Sequence, residues 1–328
     1  MKQGLPICKM RGTCMKKYAY GIDVGGTTVK CGLFETDGTF VKGWEIPTVK
    51  DNGGAQILPD IAAAIKGSMA EEGISADDVE GVGIGVPGPV TESGVVNGCV
   101  NLGWGVYDVK TALSGLLDGA KVEVGNDANV AALGEMWRGG GKGYRNVVMV
   151  TLGTGVGGGI ILGGKILHGA HGAGGEIGHI TVNRNETLAC GCGKKGCLEQ
   201  YASATGIARK AREVLATPKA EGSSLLKVEN VDAKAVFDAA KTGDKTALAI
   251  VDFFGRTLGQ AVATITAVVD PDVIVVGGGV SKAGQILLDA VVKYYTPNAF
   301  NACKETPFKL AVLGNNAGMY GAVKMVLD

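Results

Sequence analysis

Two segments of this chain share one layout: an apolar strand, a turn rich in glycine and threonine, and an apolar return strand. They are "IDVGGTTVKCGLFE" at 22–35 and "VTLGTGVGGGIILG" at 150–163. Glycines let the main chain curl so that several N–H groups point at one anion, so each segment predicts a β-hairpin with an anion-binding turn. Two copies of one β-turn-β motif indicate a duplicated fold, with the two hairpins facing each other across a cleft.

Strands and helices are predicted to alternate along both halves, which is typical of an α/β protein of two lobes. Apolar runs predict strands at 18–24, 29–36 and 39–47, within 79–89, at the start of 121–137, in the hairpin 146–169, within 271–281 and at 308–314. Helices are predicted where Ile57, Ile61, Ile65 and Met69 recur at spacing four, after the strand in 121–137, from Thr246 to about Val268, and from Ala317 to Leu327. The helix beginning at Thr246 has an inner stripe of Val251, Phe254, Leu258, Val262 and Ile265.

These elements divide the chain into a small α/β lobe and a large one. The small lobe is predicted to comprise 18–125 and 314–328, and the large lobe 126–313 with a metal-binding segment at 179–197. Residues 1–17 are expected to form a disordered N-terminal extension, because they contain scattered charges and no apolar run.

Charge and cysteine usage exclude several classes of function. The 32 Lys+Arg balance the 32 Asp+Glu, so no basic field attracts a nucleic-acid backbone. The apolar runs are too short to span a bilayer, which argues against a membrane partner. Eight cysteines without a secretion signal favour reduced thiols and a cytoplasmic location.

Three glycine turns follow predicted strands and are candidates for binding nucleotide phosphates. The first offers Asp23, Gly25, Gly26, Thr27, Thr28 and Lys30; the second offers Thr151, Gly153, Thr154 and Gly155; the third offers Gly277, Gly278 and Gly279. An Asp at a strand end can hold Mg²⁺, directly or through water. The alternatives are ordinary tight turns, and neither hairpin fits the P-loop or the dinucleotide fingerprint.

The segment "GNDAN" places Asn126 and Asp127 where a strand meets a helix. One interpretation is a helix N-cap, which Asn and Asp both favour. The other is a general base, because a carboxylate at a helix N-terminus stays ionised and can take a proton from a hydroxyl. Both interpretations can hold at once.

Carboxylates and a histidine cluster in and after "GAGGEIGH". Glu176 and His179 are three residues apart, and Glu199 follows Cys197 by two. Such side chains accept from, or donate to, the hydroxyls of a sugar. A solvated surface glutamate is the alternative for each carboxylate alone.

The segment "HITVNRNETLACGCGKKGC" contains the candidate metal ligands His179, Cys190, Cys192 and Cys197. Three thiolates and one imidazole make a closed tetrahedral zinc site of the structural type. A redox switch would favour a Cys-x-x-Cys pair, which this segment lacks. A nucleic-acid knuckle would need more basic and aromatic neighbours than Arg184, Lys194 and Lys195 provide.

Together these motifs resemble the ROK family of sugar kinases and repressors, within the actin-like ATPase superfamily. The resemblance covers the chain from about residue 18 onward, and the run from Glu176 to Glu199 is most similar to the family's bacterial glucokinases. It rests on six motifs in the family's order: "DVGGTTVK", "GVPGPV", "GNDANVAALGE", "TLGTGVGGGI", "GAGGEIGH" and "CGCGKKGCLEQYAS". The implied fold is the duplicated, ribonuclease H-like α/β fold with a cleft between two lobes.

The resemblance also implies a role for each matching residue. Asp127 matches the base that deprotonates the 6-hydroxyl of glucose or a related hexose. The implied sugar ligands are Gly88, Asn101, Asn126, Glu176, His179 and Glu199. The glycine turns match the sites for ATP and Mg²⁺, and His179 contacts both the structural Zn²⁺ and the sugar through different ring nitrogens.

The resemblance leaves alternatives open. Fructose, allose, mannose or N-acetylmannosamine could replace glucose, because discrimination depends on a few hydroxyl contacts. ROK repressors carry a helix-turn-helix domain ahead of the kinase-like part, and the residues before the first predicted strand are too few for one and show no helical pattern. A homodimer or a dimer of dimers is expected.

Overall fold

A computed structural model describes residues 15–328. Residues 1–14 of the predicted extension lie outside the described residues. Residues 15–17, which the sequence also assigned to the extension, contact the fold instead. Lys16 N donates to Glu80 Oε2 (2.9 Å), Thr36 N donates to Lys17 O (2.9 Å), and Met15 packs on the cluster around Phe34.

The strands and helices of the described residues follow one another in the predicted alternation. The strands are β1 (Tyr18–Val24), β2 (Thr28–Glu35), β3 (Phe40–Pro47), β4 (Val79–Val86), β5 (Val95–Cys99), β6 (Trp104–Asp108), β7 (Val122–Asn126), β8 (Val147–Leu152), β9 (Val156–Leu162), β10 (Lys165–Ile166), β11 (Val273–Gly277) and β12 (Phe308–Leu310). The helices are α1 (Asp51–Gly54), α2 (Ile57–Glu72), α3 (Val109–Leu116), α4 (Asp127–Arg138), α5 (Glu199–Ala202), α6 (Ala204–Leu215), α7 (Ala233–Lys241), α8 (Lys245–Val269), α9 (Gln285–Tyr295) and α10 (Ala317–Leu327).

The chain forms two compact units. The first unit contains the described residues up to Gly143 together with Lys165–Gly174 and Asn315–Asp328. Its main sheet has the order β3-β2-β1-β4-β7, with β1 antiparallel to β2 and parallel to β4. One face of this sheet packs on α2, whose residues Ile57, Ile61 and Ile65 are buried at the predicted spacing.

The second unit contains Tyr144–Gly164 and Gly175–Gly314. Its strands β9, β8, β11 and β12 are neighbours in that order, with β8 antiparallel to β9 and parallel to β11. The first unit has the same arrangement in β2, β1, β4 and β7. This shared order is the duplication that the two glycine hairpins predicted.

Helix α4 belongs to the first unit, whereas the sequence analysis began the large lobe at residue 126. The reason is its packing against α10 within that unit. A side chain at Gly134 would overlap Ala317 O, and one at Gly321 would overlap Val130 O, so the two backbones touch. This close contact ties α4 to the C-terminal segment, which the predicted boundary did not allow for.

Helix α8 is the core helix of the second unit. Its predicted inner stripe is confirmed, since all of its members are buried: Val251, Phe254, Leu258, Val262 and Ile265. Among the described helices it alone is long and apolar enough to cross a membrane by length and composition, and just over half of its most apolar window is buried inside the protein. The apolar composition is therefore explained by packing.

Candidate active site

The turn between β1 and β2 is fixed by hydrogen bonds to its backbone carbonyl groups. Gly25 N donates to Thr28 O (2.9 Å), and Thr48 donates to the turn twice, from its N to Thr27 O (2.9 Å) and from its Oγ1 to Gly25 O (2.8 Å). A side chain at Gly26 would meet no atom within 4 Å. The turn carbonyls are thus occupied while space remains over Gly26, as an anion-binding turn requires.

Asp23, at the end of β1, is a carboxylate in a confined place. Burial raises its pKa, and the charge of Lys30 on the paired strand lowers it. Gly318 leaves room for this carboxylate, because a Cβ there would lie 2.6 Å from Asp23 Cγ. Lys30 Nζ donates to Asn315 O at 3.3 Å. A carboxylate destabilised by desolvation gains from a nearby cation, so Asp23 fits a Mg²⁺ ligand.

Asn126 and Asp127 stand at the start of α4, where the N-cap interpretation is confirmed and the general-base interpretation stays a prediction. Asn126 is the N-cap, and its Oδ1 accepts from Ala128 N and Asn129 N, both at 3.1 Å. Its Nδ2 donates to Gly88 O (3.0 Å), which joins the β4 loop to the helix. The half-buried Asp127 occupies the first helical position, where the helix dipole favours a carboxylate.

Gly88 and Asn101 lie on neighbouring segments of the first unit. Gly88 has a φ of +95° and sits against the end of β5, where a Cβ would come 2.8 Å from Gly98 O. Asn101 is exposed on the turn that follows β5. Burial raises the pKa of the adjacent Cys99 thiol, and the charge of Asp127 contributes to that rise. The predicted residues Gly88, Asn101, Asn126 and Asp127 are therefore gathered in one region.

Asn129 is a residue of this region that the sequence analysis did not identify. Its side chain is buried, and its Nδ2 donates to Gly174 O (3.0 Å), which fixes the orientation of the amide. Within the described residues its Oδ1 has no hydrogen-bond partner, so it is a buried acceptor open to a ligand or water donor. Its position three residues after the N-cap in "GNDAN" was the available signal.

The second and third glycine turns meet at a pocket of about 660 Å³ in the second unit. Its walls come from the 153–155 turn, α6, α7 and the segment after β11, and include Gly153, Thr154, Thr205, Phe237, Gly279 and Lys282. Gly278 has a φ of +82°, and a Cβ there would lie 2.5 Å from Leu152 O. Gly277 pairs with Thr151 across the β11–β8 ladder. The lining combines glycine and threonine of the turns with the cations Arg212, Lys234, Lys241 and Lys282, which suits a phosphate group.

The ligand atoms of His179, Cys190, Cys192 and Cys197 lie within 4.8 Å of one another. Cys192 Sγ is 3.7 Å from Cys197 Sγ, and Cys190 Sγ is 3.8 Å from His179 Nδ1. Tetrahedral zinc with bonds of about 2.3 Å places two sulfur ligands about 3.8 Å apart. The donor set and its spacing therefore fit the predicted zinc site, and the sulfur separation is too long for a disulfide.

His179 has different neighbours at its two ring nitrogens. Nδ1 faces the cysteines, whereas Nε2 lies 3.8 Å from Glu176 Oε2. The position of Nδ1 beside the thiols fits a metal ligand, and the contact of Nε2 with a sugar hydroxyl stays a prediction.

Glu199 lies between the metal ligands and the 153–155 turn. Its Oε2 accepts from Val156 N (3.1 Å), and its Oε1 is 3.7 Å from Cys190 Sγ. The role of Glu199 as a sugar ligand stays a prediction, and its bond to β9 was not predicted from the sequence.

The loop between His179 and Cys190 is anchored by Glu186, a second residue that the sequence analysis missed. Glu186 Oε2 accepts from Tyr201 OH (2.5 Å) and from both terminal nitrogens of Arg209 (3.2 Å each). The bond from Tyr201, together with the Leu188 amide, lowers the pKa of Glu186 to about 2. This loop therefore has an attachment to α5 and α6 that does not depend on a metal.

Replacing Glu186 with Gln is expected to destabilise the protein by about 1–2 kcal/mol at pH 7, because a charged acceptor is lost. The folded-state pKa of Glu186, about 2, lies below its ordinary 4.5, so its contribution is full above pH 4.5 and disappears as pH falls toward 2. Denaturant unfolding of both proteins across that range measures the difference.

Glu213→Gln is the matched control, because Glu213 pairs with the same Arg209 at 3.9 Å while its side chain is 52% exposed. It should change stability by less than about 0.5 kcal/mol. A difference between wild type and Glu186→Gln that stays constant from pH 7 to pH 2 would contradict the role of the Glu186 charge.

Comparison with known proteins identifies relatives along nearly the whole chain. A model of the ROK family matches residues 19–328. The chain is 44% identical to a glucokinase of Halalkalibacterium halodurans, over 93% of each chain, and 37% identical to a glucokinase of Thermotoga maritima, over 94% of this chain and 96% of that one. A solved ROK glucokinase from Streptomyces griseus, in complex with glucose and AMPPNP, is 34% identical, covers 94% of this chain and 98% of its own, and superposes with a TM-score of 0.73.

Proposed function

The chain belongs to the ROK family and has its duplicated, actin-like α/β fold, and from that premise we propose that it transfers the γ-phosphoryl group of ATP to the 6-hydroxyl of glucose. The observation that carries the proposal is the placement of Asp127 on the first turn of α4, with Asn126 and Gly88 hydrogen-bonded beside it. The similarity to glucokinases over nearly the full length of both chains supports the same reaction.

In this proposal Asp127 is the general base. A primary alcohol is a weak nucleophile at neutral pH, so a carboxylate must take its proton as the oxygen attacks phosphorus. Such assistance contributes about 10²–10⁴ in rate. Asn126 holds the first turn of α4 by capping it, and the same amide donates to Gly88 O, so the backbone that carries the base is fixed at both sides.

The glycine turns supply the groups that bind ATP. Main-chain amides of Gly25–Thr28 and Gly153–Gly155 bind phosphate oxygens, with the hydroxyls of Thr27, Thr28, Thr151 and Thr154 and the cation of Lys30 as further donors. Asp23 would hold Mg²⁺, which would neutralise charge on the phosphates. Gly277–Gly279 pack against the base or ribose at the 660 Å³ pocket.

The proposed ligands of the sugar hydroxyls are Gly88, Asn101 and Asn126 in the first unit and Glu176, His179 and Glu199 in the second unit. The Nε2 of His179 and the carboxylate of Glu176 are already neighbours, so one hydroxyl can donate to the acid while another contacts the imidazole. His179 Nδ1 and the three cysteines would hold a structural Zn²⁺, which would fix the His179 ring and the loop that ends at Cys197.

The proposal includes a cytoplasmic location, where the three thiols of the metal site remain reduced. It also includes a homodimer or a dimer of dimers. No role for nucleic acid follows from a chain with a formal net charge of zero.

A panel of hexoses tests the substrate. With ATP and Mg²⁺, ADP release is measured for glucose, fructose, allose, mannose and N-acetylmannosamine, and glucose is expected to give the highest kcat/KM. A higher kcat/KM for another hexose would support the kinase activity but show that glucose is not the preferred substrate. ADP release that no sugar stimulates would overturn the proposed function.

A further inference from the structure

The glycine turn 153–155 is fixed to its own unit at three points. Ala204 N donates to Gly153 O (2.8 Å), and Thr205 Oγ1 donates to Thr154 O (2.9 Å). The third point is Glu199, whose Oε2 accepts from Val156 N at 3.1 Å. Two attachments come from the backbone and hydroxyl at the start of α6, and only the third depends on a charged side chain.

Val156 N would be left without that acceptor if Glu199 were removed. Val156 begins β9 and is 5% exposed, so solvent cannot easily replace the carboxylate. A buried N–H without an acceptor is destabilising, and the backbone relieves it by moving. The segment that moves is the turn whose amides are proposed to bind phosphate.

Gly155 lies directly against the Glu199 carboxylate. A Cβ on Gly155 would overlap Glu199 Oε2 and lie 3.0 Å from Glu199 Cδ, and its three nearest neighbours are all atoms of Glu199. Gly155 does not have a φ in the left-handed region. A side chain at Gly155 would therefore displace the Glu199 carboxylate, whereas the backbone conformation at Gly155 does not itself favour glycine.

We propose that Glu199 is a positioning residue for the 153–155 turn, holding the nucleotide-binding amides in place through Val156 N. The inference rests on the proposed function and adds a nucleotide role to a residue expected to bind sugar. Its Oε1 lies 3.7 Å from Cys190 Sγ, so the carboxylate lies next to the metal-binding segment as well as the nucleotide turn. A metal-bound thiolate has no proton to donate, which leaves Oε1 to accept from a sugar hydroxyl.

Nucleotide affinity in the absence of sugar separates the two roles of Glu199. AMPPNP with Mg²⁺ is titrated calorimetrically into zinc-loaded wild type, Glu199→Ala and Glu199→Gln. Glu199→Ala should bind about tenfold more weakly, whereas Glu199→Gln, whose amide oxygen can still accept from Val156 N, should stay within about threefold. Glu305→Ala, an exposed glutamate of the same unit, is the matched control and should bind as wild type does.

The outcomes are distinguishable. If Glu199→Ala binds AMPPNP as tightly as wild type, Glu199 does not position the turn and the inference is overturned. If wild type itself binds no AMPPNP, the proposed function fails. If Glu199→Ala contains no zinc, Glu199→Asp takes its place, because a side chain one methylene shorter keeps the charge but loses Val156 N, and the same tenfold loss is expected.

A double-mutant cycle tests the contact itself. Gly155→Ala should weaken AMPPNP binding about tenfold in wild type, because its Cβ displaces the carboxylate. In the Glu199→Ala background, Gly155→Ala should weaken AMPPNP binding less than about twofold, because the carboxylate atoms that its Cβ would overlap are absent. Additive losses would show that Gly155 and Glu199 act independently, which contradicts the inference.

Discussion

Replacing Asp127 with Asn is expected to cut kcat at least about a hundredfold while the Kd for glucose stays within severalfold. Asn has the same shape, and its Oδ1 can still accept the bond that Ala128 N makes to Asp127 Oδ1 at 2.8 Å. The Asn126 cap is untouched, so α4 should begin at the same residue. The substitution removes only the basic carboxylate, which is the group that accepts the proton of the sugar 6-hydroxyl.

Steady-state kinetics with ATP and Mg²⁺, together with a direct glucose titration, measures the two quantities. Asp108→Asn is the matched control, because Asp108 also stands at a helix start in the first unit and accepts from Thr111 N at 2.9 Å. The control should keep wild-type kcat. Turnover near normal in Asp127→Asn would remove Asp127 from the mechanism.

Loss of the metal should have the largest effect on stability. Cys197→Ser is expected to reduce zinc from about one per chain to a small fraction, because a hydroxyl is a poor replacement for a fully buried thiolate ligand. Structural zinc contributes roughly 10–16 kcal/mol in small finger peptides, and even part of that would lower Tm by at least about 10 °C. Glucose affinity should fall as well, since His179 and Glu199 lie at the ends of the metal-bound segment.

Metal analysis, thermal unfolding and glucose titration of the same preparation test this together. Cys303→Ser is the control: Cys303 is an equally buried thiol of the second unit, outside the ligand set. It should retain zinc and glucose binding. Full activity and unchanged Tm in a demonstrably zinc-free protein would refute the structural role of the site.

The elements with clear periodicity could be predicted from the sequence. The predicted bounds of β1 and α10 are those of the structure, because an unbroken apolar run and a spacing of three to four residues define them. The β5–β6 hairpin was missed, since it is partly exposed, with Val106 78% exposed, and lacks a long apolar run. The last strand was predicted at 308–314 but comprises only Phe308–Leu310.

The candidate site shows the same limit. The four residues of the candidate metal site lie close together in sequence, so their spacing alone predicts the cluster, and the capping role of Asn126 is local as well. The bonds from Val156 N to Glu199 and from Asn129 to Gly174 join residues 43 and 45 positions apart. Such pairs are set by how sheets and helices pack, and hydrophobic periodicity carries no information about them.

The most direct test of the account is the identity of the product. Wild-type protein is incubated with glucose, ATP and Mg²⁺, and the phosphorylated carbon is located by ³¹P and ¹³C NMR, with Asp127→Asn alongside. We expect glucose 6-phosphate in equal amount to ADP from wild type, and at least about a hundredfold less from the variant. Phosphate at another position, or ADP with inorganic phosphate as the only products, would contradict it.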